Sequence, residues 1–266
     1  MKTTLFVLLF TLLQTVAAAQ PKTFVLVHGA WHGAWAWQKV VPLLEANGHR
    51  AVALDLPGHG ADQTPVATVT LADCVRKVVE TALAQPGPVI LVGHSMAGVV
   101  IAQAAEVLGP KKVAKLVFLD AFMPRNGESV RELATQVGRQ NQAAGHAPAG
   151  PSLADSQVRS ADGKLVTLKP ALVGRLLYHD CSRQDVAFAQ AHLGPEPVAC
   201  LTTPVRVTAG RYGAVPKVYI LCTQAKDLDK RSLVQHVACQ KVFTLASSHS
   251  PFFSMPEQVV GILHAL

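Results

Sequence analysis

ILVGHSMAGVV, residues Ile90 to Val100, carries an apolar run into a serine flanked by small residues and then resumes an apolar pattern with a different period. Val89 to Val92 reads as a buried strand, and beyond Met96 the residues Val99, Val100 and Ala104 recur at helical spacing. Ser95 therefore falls on a strand-to-helix corner. A turn that tight takes the backbone past neighbouring elements, so Gly93, Ala97 and Gly98 stand where a larger side chain would collide. Such a corner lifts the serine hydroxyl clear of the sheet.

Working outward, apolar runs recur at Phe24–Val27, Ala51–Leu54, Val113–Leu119, Val218–Leu221 and Val242–Leu245, with amphipathic stretches between most of them. That alternation predicts an α/β fold, a mostly parallel sheet flanked by helices on both faces. The rhythm breaks once. From about residue 124 to 204 the chain turns rich in Gly, Pro, Ala and Gln, with shorter helical patterns at Ser129–Gln140 and Arg183–His192, as expected of a helical cap insertion. No internal repeat is visible. The chain has 266 residues, half of them hydrophobic, which suits one domain spanning 20–266 around a large core.

Residues 1–19 place Lys2 before a short apolar core and end on Ala17-Ala18-Ala19, the pattern of a cleavable signal peptide. The run is shorter than the roughly 20 residues a membrane span needs, and it contains Gln14, so no stable span is expected. A periplasmic or secreted location follows. The formal net charge is +7, but the basic residues are scattered and not interleaved with aromatics, which argues against a nucleic-acid partner. The cysteines, Cys74, Cys181, Cys200, Cys222 and Cys239, form no CxxC pair, so zinc is not indicated. An oxidising compartment permits a disulfide, and Cys181 with Cys200 is the expected pair because both fall in the middle insertion. Cys222 ends an apolar strand and is expected to be a buried thiol.

In an open α/β sheet, ligands bind beyond the carboxyl ends of the strands. Ser95 follows the third apolar run, Asp227 lies in the loop after the fifth, and His249 follows the sixth in LASSHSPFF. A serine hydroxyl is a weak nucleophile at neutral pH. It needs an imidazole to take its proton and a carboxylate to hold that imidazole in one tautomer. After the first run comes HGAWHGAW, where Gly29 lets the chain turn and the N–H of Ala30 can join that of Met96 as an oxyanion hole. Losing one such donor typically costs about 3–4 kcal/mol of transition-state stabilisation, so this loop weighs as much as the nucleophile. Trp35 and Trp37 share a helical start and read as packing; Trp31 is open to a role as a pocket wall. In LDLPGHG, Leu54 to Gly60, the Pro and Gly residues mark a turn, with His59 structural.

FVLVHGAWHGAWAW, PLLEANGH, LDLPGHG, VGHSMAG, LDAFMP and SHSPFFSMPE together resemble the α/β-hydrolase branch that holds plant methyl esterases, plant hydroxynitrile lyases and bacterial carboxylesterases. The resemblance runs from about Thr23 to the C-terminus and is weakest in the cap. It implies Ser95 as nucleophile, His249 as base, Ala30 and Met96 as oxyanion donors, no cofactor, and a small-molecule ester as substrate. Hydroxynitrile lyases of this branch carry a threonine at the position of Gly29 and a lysine at that of Ser250, so both positions favour an esterase. The acid is ambiguous. Family members place it six residues after the tyrosine of a YI strand, which is Ala225 here, whereas counting back from Gln235 gives Asp227. Asp227 is the expected acid, with Asp229 and Asp120 as alternatives; Asp229 also suits a helix N-cap for KRSLVQ.

The sequence thus points to an exported carboxylic ester hydrolase. Phe122, Met123, Leu176, Leu177 and Phe188 are candidates for an apolar pocket, for small hydrophobic or aryl esters, under the cap. A cyanohydrin lyase, a lactone or thioester hydrolase, and a ligand-binding relative without turnover are the alternatives. Mass spectrometry of protein from the native host is expected to give a mature start near Gln20; an intact Met1 in the soluble cytoplasm would overturn the export reading.

Overall fold

The computed structural model describes residues 20–146 and 150–266, so the expected leader at 1–19 lies outside the described residues. The strands are β1 (Thr23–Val27), β2 (Arg50–Leu54), β3 (Val89–His94), β4 (Val113–Leu119), β5 (Gln157–Arg159), β6 (Leu165–Leu168), β7 (Glu196–Pro197), β8 (Lys217–Cys222) and β9 (Lys241–Leu245). The α-helices are α1 (Val40–Ala46), α2 (Leu71–Leu83), α3 (Ala97–Leu108), α4 (Val130–Ala143), α5 (Leu153–Ser156), α6 (Pro170–Leu177), α7 (Arg183–His192), α8 (Val198–Thr202), α9 (Pro251–Ser254) and α10 (Pro256–His264). Each of the six apolar runs becomes a strand of one parallel sheet, ordered β2-β1-β3-β4-β8-β9.

The pleat of these strands sorts the core into two layers. Val25, Val27 and Leu91 face one way, with α2 and α3, while Phe24, Leu26, Ile90 and Val92 face the other, with α1 and α10. Burial on both faces is why the strands read as continuous apolar runs instead of alternating ones. The start of α2 is set locally: Thr70 and Asp73 exchange side-chain and backbone hydrogen bonds in a capping box. The chain reverses its winding at β1, whose neighbours are β2 on one side and β3 on the other, with Val27 level with both Leu54 and Gly93. The carboxyl ends of β1 and β3 therefore lie side by side at a topological switch point, where open α/β sheets form their crevices.

Between β4 and β8 the chain leaves the main sheet to form α4 to α8 and a small antiparallel sheet, β5-β6-β7. No described helix is long and apolar enough to cross a membrane. The cysteines correct one expectation. Cys181 and Cys200 are not paired: Cys181 Sγ lies 3.6 Å from Asp180 Oδ1, whereas Cys200 Sγ lies 3.7 Å from Cys74 Sγ on α2. Lying in one insertion did not bring them together, because Cys200 joins the apolar cluster of α2 and α3 and Cys181 packs against the opposite one.

Helix α3 starts under the end of β4 at very close range. A Cβ on Gly98 would lie 2.2 Å from the carbonyl oxygen of Phe122 and 3.0 Å from Ala121 Cβ. Within a helix, glycine to alanine ordinarily gains about 0.5–1 kcal/mol. Here the clash is with backbone, and overpacking of this kind costs about 1–3 kcal/mol. Steric cost exceeds propensity gain, so Gly98→Ala is expected to lower the thermal midpoint by several degrees; a midpoint equal to or above that of the parent would contradict the close approach.

Candidate active site

Among the described residues, the non-glycine positions with positive φ are Trp31 (66°), Ser95 (54°) and Asp120 (44°), and they follow β1, β3 and β4. Strain of about 1–3 kcal/mol each is thus gathered at three adjacent strand ends. Two of the corners are stitched together. The Ser95 N–H donates to the Leu119 carbonyl at 3.2 Å, and the Ser95 carbonyl accepts from the Phe122 N–H at 3.0 Å. The Asp120 N–H in turn donates to the Ile220 carbonyl at 2.8 Å, which registers the β4 corner on β8. Ser95 is held in place by the segment that also carries Asp120.

His249 follows β9 and is buried beside these corners. Its Nδ1 lies 2.6 Å from Asp120 Oδ2 and 3.6 Å from Asp227 Oδ2. The carboxylate hydrogen-bonded to the imidazole is therefore Asp120, on the fourth strand of the sheet, and not Asp227, which the count from Gln235 favoured. The physical reason is Lys230. Its ammonium donates to Asp227 Oδ2 at 2.7 Å and to Asp120 Oδ2 at 2.9 Å, and it stands 3.4 Å from His249 Nδ1. The second Asp120 oxygen accepts the Cys222 N–H at 3.3 Å. Burial alone would push the Asp120 carboxyl up, but Lys230 and His249 outweigh it and hold it below the usual carboxylate range. Asp120, Asp227 and His249 are also the described groups that converge as metal ligands could, but the Lys230 ammonium already lies between the two carboxylates.

No hydrogen bond joins Ser95 Oγ to His249 among the described residues. His94, next to Ser95 in the chain, contacts His249, with its ring 4.4 Å from that of His249 and its Nε2–H donating to the His249 carbonyl at 2.9 Å. Burial pushes His94 well down, so it is a neutral ring that fixes the backbone of His249. Asp229 accepts the Arg231 N–H at 3.1 Å just ahead of the 3-10 turn Arg231–Gln235, but the N-cap position of that turn is Lys230 and not Asp229.

The loop after β1 holds the other half of the site. Neither the Ala30 nor the Met96 N–H donates to a protein acceptor among the described residues, so both are available to an anion. A Cβ on Gly29 would lie 2.8 Å from both Ser95 Cβ and His94 Nδ1, which leaves glycine as the residue that fits. Burial pushes His32 down to about 4; as a neutral ring it donates from Nδ1 to the Ala30 carbonyl and accepts the Tyr178 hydroxyl at Nε2.

Trp31 is gripped by the insertion. Its backbone N–H donates to Glu196 Oε2 at 3.0 Å, its carbonyl accepts the Gly194 N–H at 2.9 Å, and its indole donates to the Val166 carbonyl at 3.0 Å. Glu196, fully buried, also takes His59 Nε2 at 2.9 Å. One carboxylate on β7 thus ties together two loops of the main sheet, a role with no signature in the sequence around it. Trp31 also borders a cavity of about 150 Å³ with Leu168 and Val173. A larger cavity, about 760 Å³, reaches Phe122, Cys222 and Asp227 from between α4, α5 and the loop after β8. Of the five apolar residues expected to line a pocket, Phe122 borders this one. Met123, Leu176 and Leu177 are buried in packing, and Phe188 stacks on His192.

A model of the alpha/beta hydrolase family matches residues 24–262. The chain is 37% identical to salicylic acid-binding protein 2 of Nicotiana tabacum over 78% of its own length and 80% of that protein's. It is 30% identical to an alpha-hydroxynitrile lyase of Arabidopsis thaliana, over 91% of this chain and 96% of the relative. The crystal structure of polyneuridine aldehyde esterase superposes with a TM-score of 0.78 at 28% identity, covering 92% of this chain and 98% of that one.

The His59–Glu196 pair makes stability pH-dependent. Burial works against the charged imidazole, but the bond to Glu196 and its charge more than offset this, raising His59 to about 9. A raised pKa gives stability that is complete below about pH 6.5 and lost as pH climbs through 9. The thermal midpoint is expected to fall across that window, corresponding to a few kcal/mol at most, and to fall less in His59→Gln. Equal slopes in both proteins would refute the pairing.

Proposed function

The chain belongs to the alpha/beta hydrolase family, and from that premise we propose that it is an exported serine esterase that cleaves small hydrophobic or aryl carboxylic esters through an acyl-enzyme. Ser95 Oγ attacks the ester carbonyl while His249 Nε2 takes its proton, and the N–H groups of Ala30 and Met96 receive the developing oxyanion. The imidazolium returns that proton to the departing alcohol. Water then adds to the acyl carbonyl, giving one proton to His249, and the acid leaves as Ser95 regains its hydrogen. Asp120 holds the Nδ1–H and stabilises the imidazolium at each stage. The observation that carries this reading is the 2.6 Å contact between Asp120 and His249 beside a serine on a strained corner. Bonds between nucleophile and base are often loose without substrate and tighten in the complex.

The cavity bordered by Phe122 and Asp227 is of a size that takes small ligands, which supports a small-molecule ester. Similarity to an alpha-hydroxynitrile lyase raises cleavage of a cyanohydrin as a second reading. The crowding around Gly29 and the serine at 250 tell against it, since neither a threonine side chain nor a lysine is present there. The export reading is supported by the leader pattern alone.

Ser95→Ala is expected to fold normally yet lose both hydrolysis of p-nitrophenyl esters and labelling by a fluorophosphonate; labelling that persists would end the serine-hydrolase reading. Asp120→Asn should lose up to about 10⁴ in kcat through the wrong imidazole tautomer, with Asp227→Asn far milder. Should that ranking reverse, Asp227 is the acid. Cyanide release from mandelonitrile without ester turnover would favour the lyase.

A further inference from the structure

Two carboxylates and one ammonium crowd a single imidazole. Lys230 Nζ donates to both Asp120 Oδ2 and Asp227 Oδ2, and Lys230, Asp120 and Asp227 are all at most 5% exposed. Asp227 Oδ1 has no hydrogen-bond partner among the described residues, so its charge rests on the lysine. Two carboxylates sharing a buried site do not both stay ionised unless a cation offsets one of them.

The geometry points to Lys230 as a positioning residue of the acid–base pair: its ammonium cancels the charge of Asp227, so that His249 faces the net charge of one carboxylate although two stand beside it. This rests on the esterase reading only in taking His249 as the base. Of the other titratable groups around the cluster, Asp180 accepts the Ser248 N–H at 2.8 Å; burial works against its charge, but its bonds to Ser248 and Ser254 hold it below the usual carboxylate range, so it is an anion common to the parent and every variant below. Burial lowers His94 and His32, and burial raises Tyr219 and Cys222, so none of the four adds to the count. With Asp120 and Asp227 negative and Lys230 positive, the three charged groups within 3.6 Å of His249 Nδ1 sum to one negative charge. An excess of negative charge would keep His249 protonated at neutral pH and useless as a base. A deficit would withdraw support from the imidazolium formed in each acyl step. The same ammonium and the imidazole both engage Asp120 Oδ2, so Lys230 also helps to orient the carboxylate toward His249.

The test compares Asp227→Asn with the double variant Asp227→Asn/Lys230→Met. It reads the His249 imidazole titration by NMR in the resting protein and the pH profile of p-nitrophenyl ester hydrolysis. Asp227→Asn leaves the ammonium uncompensated, so the His249 pKa and the acid limb of the profile should move down together by about one unit or more. Turnover at neutral pH should fall roughly tenfold. Adding Lys230→Met restores the charge count, and both quantities should return most of the way to the parent. If the methionine variant does not fold, Asp227→Asn/Lys230→Gln makes the same count and the same return is expected. An ion pair that merely holds the loop predicts a double variant at least as impaired as the single one; that result, or an unmoved His249 titration in Asp227→Asn, overturns the assignment. A titration that shifts as expected in a protein without Ser95-dependent turnover would leave the charge count standing and defeat the esterase reading instead.

Discussion

The site depends on two backbone hydrogen bonds between the Ser95 corner and the end of β4, one to the Leu119 carbonyl and one from the Phe122 N–H. A serine at φ 54° relaxes unless its surroundings hold it, and these bonds are what hold it. They have a second effect. By drawing residues 119–122 against the serine, they bring Asp120 to the side of the crevice where His249 arrives from β9, and they bring the Phe122 carbonyl so close to α3 that residue 98 has room for glycine alone. The Ser95 corner, the Asp120–His249 bond and the packing of α3 are consequences of one contact between adjacent parallel strands.

Charge is the other constraint. The interior beside His249 contains three ionised side chains, and such a group is tolerated only when each member is paired, because a buried charge without a partner costs several kcal/mol. The pairing uses one lysine for two carboxylates. A similar economy operates on the β1 side, where the single carboxylate of Glu196 receives both the Trp31 N–H and the His59 ring. The insertion therefore does more than cover the crevice. It contributes a buried anchor, Glu196, for the Trp31 backbone directly after Ala30.

The central strands of the main sheet were legible in the chain because strands buried on both faces must be apolar throughout, whereas the partly exposed edge strands β2 and β9 show as shorter runs in the same rhythm. Ser95 was legible for a related reason: few patterns other than a strand-to-helix corner place a hydroxyl between residues that small. Asp120 was harder to favour. Its signal is an aspartate directly after a wholly buried strand, at a left-handed position that Asp tolerates better than most residues. Counting from flanking motifs could not weigh this, since loop length changes the count and says nothing about which carboxylate turns inward. Lys230 sits in KDLDKR, which reads as a solvated charged segment, and lysines are almost never fully buried unless paired. Its partners come from two different strand ends, a fact that only the folded sheet supplies. The cysteine pairing failed likewise: proximity in sequence was taken for proximity in space, and Cys200 meets Cys74 from 126 residues away.

Asp120 and His249, 129 residues apart, flank the whole insertion and meet only because β4, β8 and β9 are neighbours in the sheet. Contacts of such long sequence separation form late and slowly, since the intervening chain must be closed into a loop before the pairing rewards it. The Ser95 corner needs only the pairing of β3 with β4 and the bonds to residues 119–122. The His249 imidazole joins that corner only when β9, the last strand, is in place beside β8. On the proposed chemistry, a chain with its corner formed but β9 undocked has a serine without a base, so turnover becomes a reporter of complete assembly of the sheet.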